Sequence, residues 1–213
     1  MVCGAAAVVV AWRFVAAGKG TAWSVITPVT GVIGLAALAT GQVELSPRVR
    51  PLIAALAGLA AGVFFYLATV AFVLVVRRWS VFDRHVAEIY DQRKGFPVLP
   101  ALILASAVTA PGEELFWRGL FPGVLAEHIG WWTAAAATWA GYALVTTSSG
   151  SLPLIAGGIV GGAVWGALAL WTHGVLAALV CHAVWTALML LNPPGGSARL
   201  TRAARRDRAV TGR

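Results

Sequence analysis

Long apolar runs separated by short polar breaks dominate the chain, and run length, not alternation, sets the prediction. A helix crossing the ~30 Å hydrocarbon core of a bilayer needs about 20 mostly apolar residues. Leu52–Val76 meets this most plainly, with no charge in 25 residues. Ala22–Gly41 is a second run, in which Pro28 is expected to kink the helix. Pro97–Ala126 is a third, interrupted by Glu113, Glu114 and Arg118, and Trp131–Thr147, Leu152–Trp171 and Val175–Leu191 follow. Gly4–Ala17 is shorter and broken by Arg13; at 1.5 Å per residue it reaches only about 21 Å. It lacks a basic start and a small-residue cleavage site, so it is not read as a signal peptide. The predicted class is all-α, a polytopic helical membrane bundle of about seven transmembrane helices.

One stretch has a different pattern. Ser80–Gln92 reads as an amphipathic helix with Val81, Val86, Ile89 and Tyr90 facing the membrane or the bundle. His85 stands among its charges and is read as a solvated surface histidine. The chain therefore divides into N-terminal transmembrane helices (1–76), a connector (77–96), a helical core (97–192) and a basic tail (193–213).

Composition excludes the other classes. Of 213 residues 59% are hydrophobic and 11% charged, with mean hydropathy +0.81. That is too few charges to cover a soluble domain and too apolar for a disordered chain. The net charge of +8 invites a nucleic-acid reading, but the placement of the cations points to a membrane surface. Arg199, Arg202, Arg205, Arg206, Arg208 and Arg213 lie in the tail; Arg77, Arg78, Arg84, Arg93 and Lys94 follow the run Leu52–Val76. With seven crossings these groups and Lys19 share one side, leaving only Arg48 and Arg50 among loop cations on the other. The positive-inside rule then puts the C-terminus in the cytoplasm of a multi-pass cell-membrane protein. The bilayer is the expected partner and nucleic acid is not.

Cys3 and Cys181 make no disulfide framework. Small-residue spacing at Gly58/Gly62 and through Gly157–Gly166 lets helix backbones approach closely, and packing within the bundle is favoured over a dimer seam. Tryptophans at run ends, such as Trp131, Trp132 and Trp171, fit interfacial belts.

Charge inside an apolar run is the chemical signal. In Pro111–Gly119 (PGEELFWRG) three ionisable groups fall within six residues. Each costs about 2.5–3.5 kcal/mol at mid-membrane, so such groups face inward, pair and serve function. On a helix Glu114 and Arg118 stand one turn apart and can pair, while Glu113 points about 100° away, free to handle a proton. A purely structural ion pair, with Glu113 reaching an interface, is the plainer alternative. The last run carries His182 and Thr186 at i and i+4, and a neighbouring donor or acceptor such as the Thr186 hydroxyl would set the histidine tautomer.

Glu113-Glu114-x-x-x-Arg118 followed by His182-x-x-x-Thr186 resembles the CPBP (Abi) family of intramembrane proteases, which includes CAAX prenyl proteases of the Rce1 type. The likeness covers roughly Leu99–Leu191, including the Trp-Arg-Gly after the glutamates and the GGAVWG stretch at 161–166. It implies a helical bundle whose cavity holds Glu113 and a second-motif histidine that activate water, with Glu114 and Arg118 in support. His182 and its i+4 partner would stabilise the oxyanion. Zinc is admitted by the resemblance and not required by a glutamate base. The second motif falls at Tyr142-Ala-Leu-Val-Thr146, so Thr146 stands where the family has histidine, and Thr186 replaces its asparagine or aspartate. Threonine cannot act as a base and is a poor zinc ligand.

The expectation is an intramembrane endopeptidase acting on a peptide or membrane-protein substrate. Its alternative is a weakened or inactive family member that serves as a membrane binding or scaffold protein. A small transporter would want paired inverted repeats, which the first three and last four runs do not supply.

Overall fold

The computed structural model describes residues 1–45, 48–92 and 96–194. The tail from 195 onward, with its six arginines, lies outside the described residues, as do Arg93 and Lys94. Among the described residues eight helices follow one another: α1 (Val2–Ala16), α2 (Ala22–Ala39), α3 (Pro51–Val76), α4 (Ser80–Asp91), α5 (Val98–Ile129), α6 (Trp131–Thr147), α7 (Leu152–Thr172) and α8 (Leu176–Leu191). Among the described residues there are no strands. Helices α2, α3, α5 and α7 are long and apolar enough to cross a membrane; α1 and α8 are apolar but shorter. Exposed Leu56, Val63, Phe64 and Leu67 give α3 a lipid-facing surface. The protein is a multi-pass helical membrane bundle.

Proline shapes these helices in a regular way. The expected disturbance at Pro28 takes the form of a π turn, Ala22–Ile26, just before the proline. The same happens twice in α5, where π turns at Leu104–Thr109 and Leu115–Leu120 precede Pro111 and Pro122. Proline has no N–H and its ring crowds the carbonyl four residues back, so a wider turn relieves the clash without ending the helix. The second π turn contains Arg118, and Glu113 and Glu114 sit on the α-helical step between the two.

Glycine decides which helices touch. A Cβ at Gly58 would meet Ala177 O at 2.5 Å and one at Gly62 would meet Cys181 O at 2.8 Å, so α3 lies directly on the α8 backbone. At Gly34 an added Cβ would fall 2.5 Å from Gly112 Cα, which presses α2 against the residue before Glu113. The small-residue spacing therefore serves packing within the bundle.

The described helix ends sort into two groups. Trp23 and Ala22 hydrogen-bond to Gln92, and the Leu152 N–H donates to His85 Nδ1 at 3.2 Å, tying Lys19, Arg77, Arg78 and Arg84 to one end. At the other end the Arg48 N–H donates to Thr172 O at 2.8 Å and the Val175 N–H to Glu44 O at 3.2 Å. His85 is thus no free surface residue: it satisfies the first N–H of α7. The apolar face of α4 centres on Phe82 and Val86, which pack against Val73 beside Tyr90 and Leu152. Val81 and Ile89 are only half-buried.

Candidate active site

The site is built on the middle of α5 and completed by three other helices. Glu113, Glu114 and Arg118 are all buried, with Glu114 fully so. Arg118 Nη1 donates to Glu114 Oε1 at 3.1 Å, the i,i+4 pair expected from the spacing. Arg118 Nη2 reaches Gly162 O on α7 at 3.3 Å, and the guanidinium lies 4.4 Å above the Tyr142 ring and 5.2 Å from the Trp165 ring. Aromatic faces stabilise a cation, so the charge is met on three sides. Gly162 lets these groups approach closely: a Cβ there would lie 3.1 Å from Tyr142 Cδ1 and 3.3 Å from Arg118 Nη2, both tighter than ordinary contact.

Two expectations are corrected. His182 pairs not with Thr186 but with Glu114: Nδ1 donates to Oε1 at 2.7 Å across 68 residues of chain. Its ring stacks on Trp165 with centroids 3.7 Å apart and planes 14° from parallel. Thr186 is half-buried one turn away and, among the described residues, makes no hydrogen bond to His182. Glu113, in turn, is not free. Tyr142 on α6 donates its hydroxyl to Glu113 Oε2 at 2.8 Å. The apolar wall around both carboxylates raises the cost of leaving any of these groups unpaired.

Thr146 lies one turn from Tyr142 along α6 and is buried. Its hydroxyl donates to Ala143 O at 2.8 Å, and a Cβ on Gly158 would collide with Thr146 Oγ1. His173 cannot stand in for the missing histidine along the helix of His182, because the two are not on one helix. His173 ends α7 in the left-handed conformation (φ 52), and α8 begins at Leu176.

Tyr142, Trp165 and Gly162 enter the site without having been singled out as site residues. The first was readable as the opening residue of the Tyr-x-x-x-Thr motif and the last two lie in GGAVWG; spacing alone does not show that they touch Arg118.

The arrangement supplies one carboxylate held by a phenol, a second held by an arginine and a histidine, and an imidazole whose Nε2 points away from Glu114. Glu114 Oε2 is buried without a partner among the described residues and remains available as an acceptor. Zinc does not fit these donors. Among the described residues no three His, Cys, Asp or Glu side chains are grouped to hold a metal ion, Glu114 is engaged by a guanidinium, and threonine replaces the second-motif histidine.

Comparison with known proteins matches no curated protein and no solved structure. A family model does match, over residues 95–188: the type II CAAX prenyl endopeptidase, Rce1-like. That span contains Glu113, Glu114, Arg118, Tyr142, Thr146, Trp165 and His182, so the segment of the chain that builds this buried cluster is the segment similar to the Rce1-like family.

Proposed function

We propose that the protein is an intramembrane endopeptidase in which Glu113 activates water for attack on a peptide bond. The observation that carries this reading is the meeting of Glu113 and His182, 69 positions apart in sequence, in one buried cluster where each is held by its own hydrogen bond. Glu113 takes a proton from water as the water oxygen bonds to the peptide carbonyl carbon. The proton then passes to the departing amine nitrogen as the C–N bond breaks. His182 serves the oxyanion from Nε2, which requires that nitrogen to carry a proton because the Nδ1 proton is committed to Glu114. Glu114 and Arg118 set the angle of the imidazole; Tyr142 sets that of Glu113. No step needs a metal. The substrate class is a peptide or a membrane-protein segment, and the basic end faces the cytoplasm of the cell membrane.

Thr146 supports a second reading. With its hydroxyl bonded to Ala143 O and its side chain against Gly158, it offers no base at the second-motif position. A family member that binds membrane proteins without cutting them would have this site. Cleavage of a pooled peptide library by the purified protein in liposomes, read by mass spectrometry, separates the two. Products from wild type that vanish with Glu113→Gln establish the protease. Products from Thr146→His alone mean that the fold and the other site residues persist in a protein that no longer cuts.

A further inference from the structure

We propose that the cavity behind Arg118 is a water-filled well that opens at the end of the bundle opposite Lys19 and Arg77. It lies between α5, α6 and α7 and is lined by Trp117, Arg118, Trp131, Gly166, His173 and Glu44, among others. Glu113 and His182 do not line it, so it approaches the buried cluster from behind, through the guanidinium.

Two ring nitrogens of lining residues are buried without a partner among the described residues. Trp117 is 1% exposed, yet its Nε1 has no hydrogen-bond partner among the described residues, and the same holds for the buried Nδ1 of His173. Arg118 spends Nη1 on Glu114 and Nη2 on Gly162 O; a guanidinium has five N–H donors, and the others remain for the cavity side. Buried polar nitrogens without a protein partner call for one from the cavity. An anion is disfavoured: Glu114 already balances the charge of Arg118, and Glu44 adds a carboxylate to the wall. A cation is opposed by Arg118 itself. A neutral molecule with lone pairs is left, and water is the one the space suits. The cavity, about 60 Å³, exceeds the roughly 15 Å³ that one water requires. A Cβ at Gly166 would meet nothing within 4 Å, so the space continues over the α7 backbone.

Under the hydrolase reading this well holds the second reactant beside Arg118, at the end away from the basic loops. That use rests on the proposed function; the hydration of the well does not. Two tryptophans supply the test. Trp117 and Trp165 are each 1% exposed, but only Trp117 lines the cavity. Hydroxyl-radical labelling of the full chain in nanodiscs, with peptide mass spectrometry, should modify Trp117 several-fold faster than Trp165. Gly166→Leu, which fills the well, should bring Trp117 down to the Trp165 rate. Equal rates in wild type overturn the proposal, and so does a fast Trp117 that Gly166→Leu leaves unchanged. Should Gly166→Leu lose helical signal or expose Trp165, Gly166→Ala replaces it, and the wild-type contrast still decides. Labelling is read without substrate, so a silent cleavage assay does not alter its outcome.

Discussion

Glu114 Oε1 accepts two hydrogen bonds at once, from His182 Nδ1 at 2.7 Å and from Arg118 Nη1 at 3.1 Å, in the fully buried interior of the bundle. One buried oxygen thus joins α5 to α8 and fixes the imidazole ring. Removing this carboxylate leaves a guanidinium charge without its counterion, which costs about 3–5 kcal/mol where measured in buried pairs. Glu114→Ala should lower stability by that order and free the histidine. Unfolding in mixed micelles, followed by circular dichroism, checks this; a variant as stable as wild type would show that the pair contributes nothing.

Glu113 and Tyr142 should separate chemistry from stability. Glu113→Gln keeps the shape and an acceptor for the Tyr142 hydroxyl, so the fold should survive while cleavage disappears. Tyr142→Phe removes one hydrogen bond, at about 1–3 kcal/mol if the carboxylate is left unsatisfied. It should lower kcat more than it raises KM, because a misaimed base harms the chemical step. Chelator treatment should change neither variant nor wild type. Cleavage that survives Glu113→Gln would remove the glutamate base from the mechanism.

At position 146 the expected sign is a gain. A protease weakened only by the missing histidine should cut faster as Thr146→His, since single members of a catalytic unit change rates by orders of magnitude. The neighbour matters: Gly158 leaves no room for even a methyl beside Thr146. Gly158→Ala should therefore destabilise by about 1–3 kcal/mol through overpacking, and the double variant with Thr146→His should fare worse than either alone. Unfolding midpoints for the three proteins test the coupling.

The contact between α3 and α8 gives a fourth expectation. Gly62→Val would drive a side chain into Cys181 O, the carbonyl just before His182. It should unfold the bundle more readily than Gly157→Ala, whose nearest neighbour is Trp185 at an ordinary 3.9 Å. Equal midpoints would mean that α8 shifts freely, and with it His182.

Helix class, the membrane setting and the Glu114–Arg118 pair were legible along the chain because each depends on neighbours in sequence. Run length reports bilayer thickness, and residues one turn apart meet on any helix. The wider turns before Pro28, Pro111 and Pro122 were readable only as a disturbance. Their π form is one of several ways a helix can relieve the proline clash, and the sequence does not choose among them.

The partners of Glu113, His85 and His182 belong to the tertiary structure alone. His182 stood four residues from a hydroxyl, and local geometry favoured Thr186; the glycine contacts that seat α8 on α3 and α2 on α5 put it beside Glu114 instead. His85 looked solvated until α4 folded under the start of α7. By itself the sequence determined that this is a helical membrane protein with charge buried in α5, since burying ions in an apolar run has few physical solutions. Which side chain meets each charge was decided by helix packing, because the choice between two partners of similar chemistry turns on backbone approach of a few ångströms.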